Sequence, residues 1–315
     1  MLNRRLLRVK VLQILYGFYS GGEGSLPAAL KGLRTSVGRY YDLLHLLAML
    51  PEALVSLEAQ RLELRQRKYL RSEEDVNPNR NFVDNVVVAR LSTNSPLHAY
   101  ASERALSWQN FPTELNLIYD TLLEQDFYRD YKQDAASGWA HDKLLVLALY
   151  DWLETLDWFS DFLSGTHIFW STEFTYVLDT LSRLVSELPE DTPADAQILP
   201  VKLDYESWQF AEELLSQTVL HYRENQARIA ESLHRWDPDR VAFMDMLIMS
   251  MALAEIVAFT DIPRRVSMNE YIEIARIFST PSSSSFVNGV LDRTVNRLLE
   301  AGEILKTGRG LQGGV

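Results

Sequence analysis

Turn-forming residues are scarce along this chain, and their scarcity limits the folds that it can adopt. The 315 residues include 14 glycines and 11 prolines, together about 8% of the chain, whereas globular proteins have about 12%. A β-sandwich needs a turn about every 8–12 residues, but long helices need few. Hydrophobic residues make up 47% of the chain and charged residues 23%, which is typical of a globular protein and not of a disordered one.

Apolar residues recur at helical spacing along most of the sequence. In residues 1–20, for example, Leu7, Val11, Leu15 and Phe18 form one apolar stripe. Helices are predicted at 1–20, 26–71 with a break near Pro51, 81–92, 95–107, 112–130, 140–164, 171–187, 204–235, 238–259, 267–278 and 286–305. The predicted fold class is therefore all-α.

Local sequence signals mark boundaries along the chain. Leu188–Pro200 holds three prolines among acidic residues and is predicted to be a linker. Ser267 and Glu270 have the spacing of a capping box, which predicts a helix start there. We expect a terminal helix at 1–20, a helical expansion at 21–203 that ends in the acidic linker, a C-terminal helical domain at 204–305 and a flexible tail at 306–315.

Positive charge is concentrated at the N-terminal end. Residues 1–71 carry 12 Lys or Arg and 5 Asp or Glu, although the whole chain has a formal net charge of −12. Such an asymmetry indicates one localised anionic partner. The alternative interpretation is a basic helix face that is simply solvated.

The sequence offers no indication of an enzyme, a cofactor or a metal site. It contains no cysteine, which excludes disulfides, thiolate metal sites and thiol nucleophiles. No phosphate-loop, dinucleotide, zinc-protease or hydrolase signature occurs. Glu231 and His234 form a single E-x-x-H, whereas a di-iron bundle needs two such motifs and further carboxylates.

Neither export nor membrane insertion is expected. Val241–Thr260 has the length of a membrane span, but it contains Asp245 and Glu255, whose insertion is costly. A buried core helix is the better interpretation. Gln13 interrupts the apolar stretch behind the N-terminal cations, and no small-residue cleavage site follows, so we predict a cytoplasmic chain.

Two regions have unusual chemistry. The first helix carries four cations within ten residues, followed by a glutamine and a tyrosine that share a face with Arg5: Arg4, Arg5, Arg8, Lys10, Gln13 and Tyr16. The second region is the serine-rich loop 279–285, which opens a helix and offers hydroxyls to an anion. Gly289 lies inside that helix, which costs about 1 kcal/mol relative to alanine; this predicts either a tight helix crossing or the close approach of a ligand.

At these residues the chain resembles the NusB family of transcription antitermination factors. The resemblance covers about 1–20 and 204–298 and leaves most of the middle region unexplained. It rests on Arg4-Arg5-Leu6-Leu7-Arg8, Gln13-Ile14-Leu15-Tyr16, Ala254-Glu255, Ile262-Pro263, Asn269-Glu270-Tyr271-Ile272-Glu273-Ile274-Ala275-Arg276 and Phe286-Val287-Asn288-Gly289-Val290-Leu291-Asp292.

The resemblance implies an all-α fold of two small bundles, here with a large additional helical region. It implies a non-enzymatic adaptor that binds boxA-type single-stranded RNA of rRNA leaders together with the ribosomal protein NusE, and that keeps the RNA polymerase elongation complex processive. The implied RNA-facing residues are Arg4, Arg5, Arg8, Gln13, Phe286 and Asn288, with Lys10, Ser282 and Ser283 nearby; Tyr16 and Asp245 match positions near NusE. If four cations each neutralise a phosphate, the slope of log affinity against log salt concentration is predicted to be roughly −3.

One departure from the family pattern leaves alternatives open. The family commonly has a basic residue just before F-V-N-G, whereas positions 282–285 are all serine here. The basic run Arg61–Arg71 is a hypothetical substitute. Alternatively, the expansion makes the chain a helical protein-interaction scaffold with a reduced RNA face. A third class, the rRNA cytosine methyltransferases that carry NusB-like domains, is excluded because the chain has no cysteine for catalysis.

Overall fold

The computed structural model describes residues 2–21, 24–233 and 240–312. Within those ranges the regular structure is helical and no strand occurs, which confirms the predicted all-α class. In chain order the helices are α1 (Arg4–Ser20), α2 (Leu26–Ala48), α3 (Leu50–Gln66), α4 (Glu73–Val76), α5 (Val86–Ser92), α6 (Ser95–Glu103), α7 (Pro112–Leu122), α8 (Asp126–Gln133), α9 (Trp139–Leu153), α10 (Asp157–Thr166), α11 (Trp170–Glu187), α12 (Tyr205–Ala230), α13 (Phe243–Ala258), α14 (Arg264–Phe278) and α15 (Ser283–Glu300).

The chain divides into two compact units. The middle unit is Gly38–Lys202, and the terminal unit comprises residues 2–37 together with the chain from Leu203 onward. The division falls within α2, so the terminal unit takes up more of the N-terminal sequence than the predicted segment 1–20. This difference arises because Leu33 and Ser36, on the first half of α2, are buried in the terminal unit.

Helix α13 forms the core of the terminal unit. Its residues from Asp245 to Ile256 are all buried, and α1, α12, α14 and α15 pack against it. The sequence predicts this core position from the apolar composition of the segment. In the described ranges, no helix combines the length and the apolar character that crossing a membrane requires.

Local sequence explains where α1 begins and ends. The Asn3 side chain accepts a hydrogen bond from the backbone N–H of Leu6 at 2.8 Å, which satisfies one of the unpaired amides of the first turn. Leu7, Val11 and Leu15, spaced four residues apart, are fully buried. The helix ends at Ser20, before Gly21.

Helix α14 begins earlier than the capping-box pattern predicts. It starts at Arg264, directly after Pro263, and Ser267 lies within its first turns. The Ser267 hydroxyl donates instead to Oε1 of Glu255 at 2.7 Å. The predicted capping role of Ser267 is therefore wrong, because a buried carboxylate on α13 takes its hydroxyl.

The C-terminal segment is held against the loop that follows α13. The backbone N–H of Thr307 donates to the carbonyl of Thr260 at 2.9 Å, and the Lys306 ammonium donates to the carbonyl of Phe259 at 2.8 Å. A Cβ added to Gly310 would lie 2.0 Å from the Thr260 oxygen, so only glycine fits this approach. Lys306, Thr307 and Gly310 thus contact this loop, and the flexibility of the tail stays a prediction; residues 313–315 lie outside the described ranges.

The middle unit packs α3–α11 and the second half of α2 around an aromatic-rich core, in which Trp152 and Trp170 are buried. The predicted helices at 112–130 and 140–164 are each broken into two, at residues 123–125 and 154–156. Leu188–Pro200 is irregular but packed. Its carbonyls at Ala194 and Ala196 accept from the Asn94 amide at 3.2 and 2.8 Å, so it forms part of the middle unit and does not behave as a free linker.

Candidate nucleic-acid interface

Two of the four predicted N-terminal cations lie at the surface of the terminal unit. Arg4 is exposed, and its guanidinium lies 5.1 Å from the centre of the Phe210 ring. Arg5 is 41% exposed and donates to both carboxylate oxygens of Glu270, at 2.8 and 2.9 Å. The Arg5 hydrogen bonds, together with the charges of Arg5 and Arg8, hold the pKa of Glu270 below its usual value despite partial burial. Both arginines can therefore reach a phosphate, but Arg5 would share its charge with Glu270.

The third cation, Arg8, is buried. It is 2% exposed and donates to both oxygens of Glu255, at 2.7 and 2.6 Å. Glu255 also accepts from the hydroxyls of Ser267 and Tyr271, at 2.7 and 2.9 Å. Burial opposes the charged form of Arg8, but the hydrogen bonds and charge of Glu255 outweigh burial and raise its pKa. The prediction that Arg8 contacts RNA is corrected: its charge is neutralised inside the terminal unit.

Lys10 is buried as well. Its side chain is fully inaccessible, and the ammonium donates to the backbone carbonyl and the hydroxyl of Ser36, at 2.8 and 3.1 Å. Lys10 therefore joins α1 to α2. Because no part of its side chain reaches solvent, the predicted RNA contact of Lys10 is also corrected.

The second half of α1 presents an aromatic pair. Tyr16 is 45% exposed and Phe243, at the start of α13, is 40% exposed; their ring centres are 5.6 Å apart. Gln13 is half-buried one turn earlier. The sequence pattern does not distinguish Phe243, because it is one apolar residue in a long apolar run and nothing in that run marks it as exposed.

The serine loop before α15 is only partly available at the surface. Ser283 is buried and donates to Oδ2 of Asp245 at 2.9 Å, while Ser279 donates to Oδ1 at 2.6 Å. Asp245 is 5% exposed, so its carboxylate holds the start of α15 and is not presented to a protein partner. The predictions for Ser283 and Asp245 are corrected on this ground. Ser282 is exposed, and its hydroxyl lies 3.3 Å from that of Thr280.

The family motif at the start of α15 exposes some residues and buries others. Val287 and Leu291 are buried, Phe286 is half-buried and Asn288 is exposed. A Cβ on Gly289 would meet nothing closer than the Arg293 guanidinium, at 3.8 Å. A tight helix crossing therefore does not explain Gly289, and the absence of a side chain leaves open surface beside Asn288.

The first residues of the two predicted RNA-facing elements lie beside different ends of α13. Arg8 places the start of α1 beside Glu255, near the end of α13, whereas Ser283 places the start of α15 beside Asp245, near the beginning of α13. Ten residues of helix separate the two acids, which is about 15 Å. Both elements belong to the terminal unit, and the second half of α1 reaches the beginning of α13, where Tyr16 lies beside Phe243, two residues from Asp245.

The sequence alone indicates that the two acids of α13 have structural partners. Asp245 and Glu255 are the ionisable residues of an otherwise apolar twenty-residue segment. A buried carboxylate needs a charge or hydrogen-bond donors. The segment itself therefore indicates that buried donors elsewhere in the chain must face these positions, but it does not say which donors.

Comparison with known proteins supports the motifs between Ala254 and Asp292, whereas those on α1 lie outside the matched residues. The chain matches the NusB family over residues 175–296. It is 36% identical over 124 residues to the transcription antitermination protein NusB of Chloroherpeton thalassium, which covers 39% of this chain and 54% of that protein. It is 38% identical over 115 residues to the protein of the same name from Salinibacter ruber, covering 36% of this chain and 72% of that protein.

The protein of the same name from Natranaerobius thermophilus is 37% identical over 100 residues, covering 32% of this chain and 72% of that protein. No solved structure matches the chain. The chain thus spans about half of the Chloroherpeton protein and nearly three quarters of the other two. On the strength of these alignments and of the motif that opens α15, the chain belongs to the NusB family.

Proposed function

We propose that this chain is a non-enzymatic RNA-binding adaptor in transcription antitermination. It binds boxA-type single-stranded RNA of rRNA leaders together with the ribosomal protein NusE, and the assembly keeps the RNA polymerase elongation complex processive in rRNA operons. The relatives named transcription antitermination protein NusB support this role. The observation that carries it is that the family motif opens α15 with Asn288 exposed, in the same unit as the exposed Arg4.

The chemistry of the exposed residues suits unpaired RNA. Arg4 and Arg5 neutralise phosphates at the start of α1, and the half-buried Phe286 ring and the Asn288 amide offer stacking and hydrogen bonds to an unstacked base. Gly289 leaves room for a base or sugar beside Asn288. Because Tyr16 on α1 lies beside Phe243, close in sequence to the Asp245 that holds the start of α15, an RNA strand that contacts both Arg4 and Asn288 follows α1 toward α15.

Burial of two cations lowers the expected salt dependence of RNA binding. Each phosphate neutralised on single-stranded RNA contributes about −0.7 to the slope of log affinity against log salt. With Arg4 engaged and Arg5 sharing its charge with Glu270, the slope from this surface lies between about −0.7 and about −1.4 instead of roughly −3. Arg4→Gln should make the slope less negative by about 0.7. A fluorescence titration of a boxA-type RNA at several salt concentrations measures the change.

Arg309→Gln is the control for this titration, because Arg309 is an exposed cation of the same unit outside both predicted elements. It should leave the slope and the affinity for boxA-type RNA unchanged. Equal effects of the two substitutions would indicate that net charge alone, and not the start of α1, determines binding.

The exposed aromatic pair is the surface that we assign to NusE. Tyr16→Ala should weaken binding of purified NusE at least tenfold. Aromatic residues at the centre of an interface commonly contribute about 2 kcal/mol or more to the binding free energy. Calorimetry with NusE measures the change. Tyr205→Ala is the matched control, because Tyr205 is a 73% exposed tyrosine of the same unit. A loss no larger than that of the control would place NusE elsewhere.

A protein-interaction scaffold with a reduced RNA face is the second candidate. The burial of Arg8 and Lys10 favours the scaffold, because only half of the predicted cations then remain for RNA. Capture of binding proteins before and after ribonuclease treatment separates the two functions. An adaptor that acts on RNA loses its transcription-complex partners when RNA is digested, whereas a scaffold retains them.

A further inference from the structure

The turn between α3 and α4 concentrates positive charge in the middle unit. Residues 61–72 carry five cations and one acid: Arg61, Arg65, Arg67, Lys68, Arg71 and Glu63. We refer to residues 65–71 as the cationic turn. No residue of this turn lies in the part of the chain that matches the NusB family.

The backbone of the turn is anchored at both ends. At the end of α3, the N–H groups of Arg67 and Lys68 donate to the carbonyls of Leu64 and Arg65, both at 3.2 Å. At the start of α4, Ser72 and Asp75 form a reciprocal capping box, which satisfies the first amides of that helix. The side chains between these anchors therefore project from a defined backbone.

An aromatic ring lies at the centre of the turn and is almost wholly exposed. Tyr69 is 99% exposed and its neighbour Leu70 is 83% exposed. Exposed apolar side chains are common singly, but this ring is flanked along the chain by Arg67 and Lys68 on one side and by Arg71 on the other. Cations around an exposed aromatic face are the usual elements of sites for unpaired nucleic acid.

Two of the five cations have no carboxylate partner among the described residues. Arg61 donates to Asp120 and Asn116, Lys68 lies 3.5 Å from Asp75, and the exposed Arg67 lies 3.6 Å from Glu63. By contrast, Arg65 and Arg71 are exposed and make no ion pair within the described ranges. Their charges are therefore available to an anionic ligand.

A cleft adjoins the turn. It has a volume of about 390 Å³, and its lining includes Arg65, Arg129, Lys132, Asn77 and Asn79. Lys132 pairs with Glu58, and Arg129 lies 3.4 Å from Asp126. Arg65 therefore supplies the charge for a phosphate, and Asn77 supplies an amide for a base edge.

The one carboxylate in the lining of this cleft, that of Glu58, is neutralised. Glu58 is 2% exposed, and its oxygens accept from the Lys132 ammonium at 2.5 Å and from the Tyr128 hydroxyl. Burial and the charge of Glu58 raise the pKa of Tyr128, so its hydroxyl stays protonated as a donor. The acid therefore does not repel a phosphate that enters the cleft.

We propose that the cationic turn and its cleft form a second RNA-binding site, which takes unpaired RNA without sequence preference. Arg65 and Arg71 bind phosphates, and Tyr69 stacks on a base. An acidic polypeptide would match the charge but would leave the ring face and the Asn77 amide unused, which favours RNA. The proposal rests on the proposed function in one respect, the choice of RNA as the ligand. The residues of the cationic turn are themselves separate from α1 and α15.

The test measures binding of the full chain to labelled oligouridine of roughly 20 nucleotides that lacks a boxA sequence. Tyr69→Ala should weaken binding roughly tenfold, since one stacked base contributes about that much. The pair Arg65→Gln and Arg71→Gln should reduce the salt slope by about 1.4. Arg183→Gln with Lys202→Gln, two exposed cations of the same unit, is the matched control and should change neither.

The outcomes distinguish this site from that of the terminal unit. If Arg4→Gln weakens binding to boxA-type RNA and reduces its salt dependence while the turn variants bind oligouridine as the parent does, the second site does not exist and the proposed function stands. If the turn variants lose oligouridine while Arg4→Gln has no effect on either RNA, the second site stands and the proposed surface on α1 fails. Should the turn variants instead lose polyglutamate and keep RNA, the turn binds acidic protein and the proposal is overturned.

Discussion

Replacing Arg8 by methionine is expected to lower the free energy of unfolding of the terminal unit by about 3–5 kcal/mol. The guanidinium is 2% exposed and pairs with both oxygens of Glu255, which is itself fully buried. Removal of one member leaves the other charge uncompensated in the interior, and that cost exceeds the strength of the pair itself. Hydrogen exchange of α1 and α14 amides along a urea series measures the change locally.

The matched control combines Arg8→Met with Glu255→Gln. The hydroxyls of Ser267 and Tyr271 donate to different oxygens of Glu255. The amide at position 255 accepts from one hydroxyl through its oxygen and donates to the other through its NH2 group, and no buried charge remains. We expect the double variant to be more stable than Arg8→Met alone, with a coupling of about 2 kcal/mol or more. Additive effects, or an Arg8→Met protein of unchanged stability that no longer binds RNA, would show that Arg8 faces the ligand after all.

The second large effect is expected at Asp42 in the middle unit. Its carboxylate is fully buried and accepts two hydrogen bonds from Arg104, at 2.8 and 2.9 Å, with further bonds from Arg39 and from the Tyr100 hydroxyl, each at 3.0 Å. Asp42→Asn should lower the free energy of unfolding at pH 7 by about 3 kcal/mol. Asp84→Asn is the control, because Asp84 pairs with Arg80 through a similar geometry at an exposed site, where a pair contributes about 0–1 kcal/mol.

The effect at Asp42 should depend on pH. Burial favours the protonated form of Asp42, but the hydrogen bonds and charge of Arg104, with Tyr100 and Arg39, outweigh burial and lower its pKa below 3.8. The stabilisation is therefore fully present above the unfolded pKa of about 3.9 and is lost as the pH falls through the lower folded value. The difference between the parent and Asp42→Asn in urea unfolding should shrink below about pH 4. A difference that stays constant down to pH 2 would contradict the ion pair.

Several features of the fold were predictable because they depend on neighbours in the sequence. The helical stripe Leu7, Val11 and Leu15 is buried as the spacing predicts, since residues four apart lie on one face of a helix. The core position of α13 follows from the composition of its own residues. By contrast, the capping-box pattern at Ser267 was misleading, because the competing acceptor, Glu255, belongs to a different helix.

The candidate site shows the limit of such reasoning. Arg4, Arg5, Arg8 and Lys10 look equivalent in the sequence, yet the first two reach solvent and the last two do not. The difference depends on Glu255, which is 247 residues from Arg8, and on Ser36, which lies on α2. The exposure of Phe243 beside Tyr16 likewise depends on how α1 and α13 pack.

The sequence by itself determined the all-α class, the family and the positions of most helices, because helix periodicity, helix ends and family motifs are written in neighbouring residues. Only the tertiary structure decided which cations reach solvent and which are neutralised inside the terminal unit. The physical reason is that a buried charge is stable only beside an opposite charge or several donors, and these groups come from distant parts of the chain that folding brings together.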